Sequence, residues 1–406
     1  MRTGAAIAVA ALLVSALALP ARTGAEEDLT RPPDTLKGLP PIVIGVSNVQ
    51  SGPSRFLGEK LLQGSRAYFD RVNAAGGVYG RRISLIVKDD RYEPEPAVRN
   101  TNELIESDEV FFLFGYVGTP TLVRVLPLLR YYEERRIVNV APFTGADPQR
   151  RPPYDRFVFN VRASYREETR ALVRRFHAGG HRRIGFLGQS DAYGKSGEVG
   201  VREALAELGL DLVESVTYRR NESAMTDMTA QVRLLREARV DAVIAVGVYG
   251  PCAAFIRDAR LAGWEVPIAN VSFVGAGTML AALREASEDL GLDLTRNLVN
   301  SQVVPSPDDL RYPLVVDYRR STPPGLRGFI SLEGWLNAVV AIEALRRAGP
   351  EPSREGFIRA LESLTGWDPG LGLPLEYSPT SHQGFHKVWL TRTENGLWVP
   401  DEDVLP

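Results

Sequence analysis

The stretch IVIGVSNVQSGPSRFLGEKLLQGSRAYFDRVNAAGGVYGRRISLIVKDD, residues 42–90, sets the architecture. It opens on a continuous apolar run, Ile42–Val46, and closes on a second, Ile83–Lys88. Between them Leu61, Leu62, Tyr68, Phe69 and Val72 recur at helical spacing on one face. Asn73-Ala74-Ala75-Gly76-Gly77 then supplies a stop, in which glycine relieves the left-handed cap. Strands that are apolar throughout, rather than alternating, suit a parallel sheet covered by helices on both faces. The stretch is one βαβ unit.

Outward from it the pattern repeats. Further strand runs are Val110–Phe114, Ile137–Ala141, Phe157–Val161, Ile184–Leu187, Leu212–Tyr218, Ala242–Val246, Pro267–Val271 and Leu298–Val304, with amphipathic segments between them. Units of this length imply an α/β protein of doubly wound, Rossmann-like lobes, with a closed βα barrel as the competitor. The end of the chain speaks against the barrel: Leu371–Tyr377 and Lys387–Thr391, beside the turn signal Asn395-Gly396, read as late β ribbons.

The N-terminus reads as something other than fold. Met1-Arg2 precedes an uncharged apolar run from Ala5 to Leu19 that ends in small residues, with Ala18, Ala21 or Ala25 as cleavage positions. Residues 1–25 are a signal peptide on this reading, the run being short for a membrane span, and 26–39, with Pro32 and Pro33, a disordered lead-in. Cys252 is the one cysteine, so the leader is followed by no lipid-attachment site, and an intramolecular disulfide is excluded. A soluble periplasmic monomer is expected. About 380 residues then remain, more than one core usually organises, which implies two lobes. With 48 basic and 50 acidic residues the net charge is −2, which leaves no electrostatic footprint for nucleic acid. A small molecule is the expected partner.

Four segments in order resemble the type I periplasmic binding proteins of branched-chain amino-acid importers: Val46–Pro53 (VSNVQSGP), Asn73–Arg82 (NAAGGVYGRR), Lys88–Pro94 (KDDRYEP) and Ala192–Gly197 (AYGKSG). The resemblance implies two lobes joined by three crossover strands, with crossings near Asn160–Arg162, Asn300–Val304 and Leu371–Leu375. Lobe one would hold residues 40–161 and 302–370, lobe two 162–301 and 371–400, and the ligand would lie between them. It also implies inner-membrane ABC permease subunits as partners.

The loop Gly115–Thr121 ends a strand and opens an apolar helix, a place where free N–H groups and the positive dipole end favour an anion. Gly118, Thr119 and Thr121 are its candidates; the resemblance puts Thr119 on the serine that holds a ligand carboxylate, while a plain helix cap is the alternative. A second loop offers Phe143, Thr144 and Gly145, with Gly145 standing on the family's threonine and Phe143 on its alanine. Tyr193 and Tyr249 match aromatic lids of the second lobe. After Pro267–Val271 the family places an acid for an α-ammonium, and this chain has Ser272; Glu333 is the candidate replacement, or merely a charge at a helix start.

Nothing in the sequence calls for a catalyst or a cofactor. G-x-S-x-G, H-E-x-x-H and a Walker loop are absent, Gly275-Ala276-Gly277 lacks a third fingerprint glycine, and His177, His181, His382 and His386 form no metal motif. Asp89-Asp90 reads as a pair of solvated loop charges. The expectation is a non-enzymatic receptor of an ABC importer that binds a small, amino-acid-like or other carboxylate solute. The alternative is a periplasmic sensor feeding a signalling partner.

Overall fold

The computed structural model describes residues 39–401. The leader, all but the last residue of the lead-in, and the last five residues lie outside the described residues. The first sheet is parallel throughout, in the order β2-β1-β3-β4-β5. Its strands are β1 (Ile42–Asn48), β2 (Ile83–Asp89), β3 (Phe112–Phe114), β4 (Asn139–Val140) and β5 (Val158–Phe159). Helices α1 (Arg55–Ala74), α2 (Pro94–Glu106) and α3 (Thr119–Tyr131) make its connections. The glycine stop after α1 falls where it was read: Gly76 and Gly77 have φ of 103° and 82°, and a Cβ on Gly77 would lie 2.2 Å from the Arg81 carbonyl oxygen.

The chain then builds a second sheet. Helix α4 (Tyr165–Ala178) leads to β6 (Ile184–Gln189), α5 (Ala192–Ala206), β7 (Glu214–Tyr218), α6 (Thr229–Glu237) and β8 (Ala242–Val246). Next come α7 (Tyr249–Leu261), β9 (Ile268–Asn270), α8 (Ala276–Leu290) and β10 (Leu298–Gln302). It returns to the first lobe as α9 (Pro313–Ser321), α10 (Phe329–Ala348) and α11 (Arg354–Glu362), and ends on the second sheet as β11 (Trp389–Glu394) and β12 (Leu397–Pro400). The second sheet is ordered β12-β11-β10-β9-β8-β6-β7, parallel except for the antiparallel β10/β11 and β11/β12 pairs.

Two sequence expectations are corrected here. The Asn395-Gly396 turn, with φ of 50° and 70°, joins β11 to β12, so the hairpin partner is Leu397–Pro400 rather than Leu371–Tyr377. Residues 371–377 form no strand; they fold back on the end of α11, where Leu375 N–H donates to the Trp367 carbonyl at 2.8 Å. Leu371, Leu375, Tyr377 and Phe385 belong to the first lobe's core. The third passage between lobes therefore falls after Phe385, not at Leu371–Leu375. It runs beside the first passage, with Asn160 N–H on the His382 carbonyl (2.8 Å) and Phe385 N–H on the Val161 carbonyl (2.9 Å).

The first lobe is locked by two helices that meet backbone to backbone. A Cβ on Gly64 of α1 would lie 1.8 Å from the Ser331 carbonyl oxygen, and one on Gly334 of α10 would lie 2.1 Å from that of Leu61. Ser65 seals the contact by donating its hydroxyl to the Gly334 carbonyl at 2.9 Å. Neither helix can accept a methyl group at the crossing without separating, and overpacking of that kind costs about 1–3 kcal/mol or more. Gly64→Ala is expected to lower the unfolding free energy measured by urea denaturation by an amount in that range. Gly277→Ala, at a helical glycine whose Cβ would meet nothing within 4 Å, is expected to leave it unchanged or raise it by up to about 1 kcal/mol.

Candidate functional site

The loops that leave the carboxyl ends of β1, β3 and β4 face those that leave β6, β8 and β9. At β3 the chain turns into α3 through Gly118, whose φ is 103° and whose Cβ would lie 2.2 Å from the Tyr92 ring. Thr119 begins the helix, and its hydroxyl lies 2.7 Å from that of Thr144. Thr121 is turned away: its hydroxyl donates to the Val117 and Gly118 carbonyls at 2.6 and 2.9 Å and holds the turn. Neither threonine acts as the N-cap, which is Gly118. The second loop is tied to the first by Gly118 N–H on the Phe143 carbonyl. At Gly145 a Cβ would lie 2.6 Å from the Tyr165 ring, so the family's threonine could not stand here beside this tyrosine.

Five buried rings from both lobes meet between these loops. Phe143 lies against Phe273 with centroids 4.9 Å apart, Tyr193 stands edge-on to Phe273 at 4.8 Å, Tyr165 meets Tyr193 at 5.2 Å and Tyr92 meets Phe273 at 6.2 Å. Tyr193 keeps its polar end satisfied by donating to the Gly247 carbonyl at 3.2 Å. Burial raises the phenols of Tyr92 and Tyr193 well above their ordinary value and that of Tyr165 to about 12, so all three remain neutral hydrogen-bonding groups in the physiological range. Tyr249 is not part of this box. It stands at the rim, 6.0 Å from the Phe56 ring, with its hydroxyl on the Pro53 carbonyl of the opposite lobe.

The floor of the cleft is ionic. Arg162, on the first passage between lobes, is fully buried, with its guanidinium 4.9 Å over the Phe143 ring and 5.8 Å from Tyr165. Its Nη2 donates to Glu168 Oε1 at 3.0 Å and to the Ser272 hydroxyl, while Nη1 is 3.4 Å from Glu333 Oε1. Glu168 is saturated: it also accepts Ser272 N–H (2.8 Å), the Ser272 hydroxyl (3.0 Å) and the Ser301 hydroxyl (2.6 Å). Burial lifts the Glu333 carboxyl to about 7; Arg162 opposes the rise and Glu168 adds to it.

Three residues outside the sequence-derived candidates therefore matter. An acid does stand beside Ser272, but it comes from α4 rather than from the strand end. Glu167 closes the capping box with Ser164, leaving Glu168 on the inward stripe of Tyr165, Thr169, Leu172 and Phe176. A carboxylate on that stripe was the available signal. Arg162, in an apolar run, was another. Asp90 corrects the reading of solvated loop charges: it is buried, accepts the Ser47 hydroxyl (3.0 Å) and Tyr92 N–H (2.9 Å), and burial lifts it to about 7.

At the margin the lobes are latched. Glu93 accepts Arg220 Nη2 at 2.7 Å and Asn221 Nδ2 at 2.6 Å, and Arg220 also reaches Asp191 at 3.3 Å. Asp191 caps α5 through Tyr193 N–H. A groove of about 390 Å³ opens between the starts of α1, α8 and α10, lined by Phe56, Lys60, Gly275 and Ile330. Among the described residues no helix is long and apolar enough to cross a membrane, and no group of side chains could hold a metal ion.

The periplasmic binding protein family pattern matches residues 41–397. A possible leucine/isoleucine/valine-binding protein from Rhodopirellula baltica is 34% identical, with 88% of this chain and 95% of that one covered and a TM-score of 0.79. An amino acid binding protein of Pseudomonas aeruginosa is 25% identical over 55% of this chain, a match that spans 58% of that relative, under two thirds of its length. A solute binding protein of an ABC transporter from R. palustris, in complex with benzoate, shares the fold, with 19% identity over 89% of this chain and 95% of that one and a TM-score of 0.75. Two doubly wound lobes, three passages between them and a family match over nearly the whole described chain lead to one conclusion: the chain belongs to the periplasmic binding proteins, solute-binding receptors of type I fold rather than enzymes.

Proposed function

We propose that this protein is the periplasmic receptor of an ABC importer. On this reading it captures a small carboxylate with an apolar body between its lobes and presents the closed form, as a monomer, to inner-membrane permease subunits. The observation that carries the reading is the five-ring box, to which each lobe contributes walls: Tyr92 and Phe143 from one, Tyr165, Tyr193 and Phe273 from the other. A cleft walled from two sides is complete only when closed, which couples ligand capture to lobe movement. Rings suit an apolar body, and the hydroxyls of Thr119 and Thr144 with the first amides of α3 suit an anionic end.

The choice between an amino acid and a simple carboxylate turns on charge. The relative from Pseudomonas is an amino acid binder and the R. palustris neighbour holds benzoate, so both ligand classes are in view. An α-ammonium taken into a dry site needs a carboxylate with accepting capacity to spare. Glu168, the acid beside Ser272, has its oxygens committed to Arg162, Ser272 and Ser301, and the charge of Glu333, the other acid of the floor, is set against the Arg162 guanidinium 3.4 Å away. A carboxylate without an obligatory ammonium is the better fit.

A thermal-shift panel tests this, because a ligand that binds only the folded state raises its stability, by about 2.7 kcal/mol at a concentration of 100 Kd. Benzoate and 4-methyl-2-oxopentanoate are expected to raise the melting temperature more than leucine or isoleucine. Submicromolar binding of leucine that disappears in Glu333→Gln would overturn the preference.

Closure has its own test. Arg220→Ala removes a latch that is partly exposed, so its effect is modest, about 3- to 10-fold weaker binding of whichever of those carboxylates scores. Small-angle scattering should show the variant more open than the wild type without ligand. An unchanged affinity and radius of gyration would remove the latch from the closing mechanism.

A further inference from the structure

The groove between the starts of α1, α8 and α10 is a compartment separate from the box. None of the five box rings lines it, and Gly275 marks the partition: a Cβ there would lie 3.1 Å from Leu57, 3.4 Å from the Tyr249 ring and 3.6 Å from Ile330. Both lobes build it. Phe56, Lys60, Arg327 and Phe329 stand on the first lobe's wall, and Thr278 and Ala281 of α8 on the second's. Its volume of about 390 Å³ is that of a small-molecule site, for which about 300–1,000 Å³ is usual. A cavity of about 150 Å³ takes one benzene ring, so an apolar body of about two rings fits here.

The charges around the groove have one sign. No aspartate or glutamate lines it, and the first turns of α8 and α10, which border it, contain none. Lys60 makes no hydrogen bond or ion pair among the described residues, and Glu59, its neighbour in sequence, is paired with Arg55 at 3.7 Å. Arg327 spends Nε on the Thr322 carbonyl (2.9 Å) and Nη2 on that of Arg319 (2.8 Å), so its charge meets no carboxylate either. On the other wall the Thr278 hydroxyl is without a partner among the described residues. The whole chain carries a net charge of −2, so two unanswered cations on one acid-free hollow are a local feature rather than part of a basic surface. An anion that enters the hollow relieves both at once. The apolar surface beside them adds a preference for a body that an inorganic anion lacks.

We propose that this groove is a second ligand site, for an amphipathic organic anion with a body of about two rings. Lys60 and Arg327 answer the charge of this ligand, Thr278 offers it a hydroxyl, and Phe56, Phe329 and Ala281 cover its body. Because the walls belong to different lobes, the ligand meets both only when the lobes are together, and so it favours the closed form. The site is independent of what the box binds.

Fluorescence titration of the whole protein with 1-anilinonaphthalene-8-sulfonate, a dye that brightens when taken out of water, reads the site directly. The wild type should bind it saturably, one dye per chain, and 2-naphthoate should displace it while 2-naphthamide does not. N-phenyl-1-naphthylamine, the same body without the charge, should bind about tenfold more weakly or worse. One variant is made on each wall. Lys60→Met, which keeps the stem and removes a partly exposed charge, should weaken the dye by about 3- to 10-fold. Gly277→Glu sends a carboxylate into the groove from the second lobe, at a position where a Cβ meets nothing within 4 Å. It should weaken the dye by about tenfold or more, with a melting temperature equal to that of the wild type. Dye binding equal to wild type in either variant would overturn the site, as would equal affinity for the charged and uncharged bodies. A concentration-dependent dimer in sedimentation that excludes the dye would also overturn it, by assigning the groove to a second copy of the chain.

Discussion

A guanidinium with no access to water sits where the chain first passes from one lobe to the other, and burying it obliges the rest of the cleft to supply anions. Arg162 takes one from each side: Glu168 from α4 in the second lobe and Glu333 from α10 in the first. Glu168 in turn is gripped by the backbone and hydroxyl of Ser272, after β9, and by the hydroxyl of Ser301, in β10. The ends of two strands, the start of a helix and the hinge are thus fixed by one buried charge. Removing one partner of such a pair costs about 3–5 kcal/mol, because the other is left ionised in the interior. The cluster is consequently a set that changes together or not at all.

The other constraint is steric, and glycine answers it. Rings from one segment lie against the backbone of another at Gly118, beside Tyr92, and at Gly145, beside Tyr165. Each glycine is the surface on which an aromatic wall rests. That explains why the sequence departs from its family's pattern at residue 145: the threonine side chain gives way to a tyrosine ring, and the hydroxyl reappears one residue earlier, on Thr144, 2.7 Å from Thr119.

Much of this architecture was legible because the periodic signals are local. The run Ile42–Asp90 is a βαβ unit with its glycine stop in the expected place, and the loops after β3, β4, β6 and β9 could be located by strand ends alone. Phe143 and Tyr193, which the family resemblance places on those loops, share the box. What escaped depends on contacts distant in sequence. Thr121 looks identical to Thr119 in the chain, yet one hydroxyl closes a turn and the other faces a second loop. Leu371–Tyr377 alternates like a strand, but α11 offers it a surface and no strand edge reaches it. Strand lengths shrank for a similar reason: β4 and β5 pair over two residues each, since the loops that follow them bend away to build the cleft. Asp90 read as a solvated loop charge and Glu168 stood out in no way, because burial, not residue type, makes them unusual.

The serine at 272 shows how a departure from a family pattern should be weighed. Taken alone it removes a charge, and the inference would be a neutral site. In the folded chain a carboxylate stands beside Ser272, supplied by Glu168, six residues beyond Arg162, to which it is paired. Adding an acid and a base together leaves the local charge nearly balanced, whereas adding the base with two acids, Glu168 and Glu333, leaves an excess that must be discharged by a proton, a cation or a rearrangement. The fold admits amino acids in one relative and benzoate in a structural neighbour, so topology does not select the ligand. On the proposed function, selection lies in this charge inventory: the walls set by Phe143, Tyr165, Tyr193 and Phe273 would decide the shape of the body, and the floor set by Arg162, Glu168 and Glu333 which sign of charge can enter without leaving the interior unbalanced.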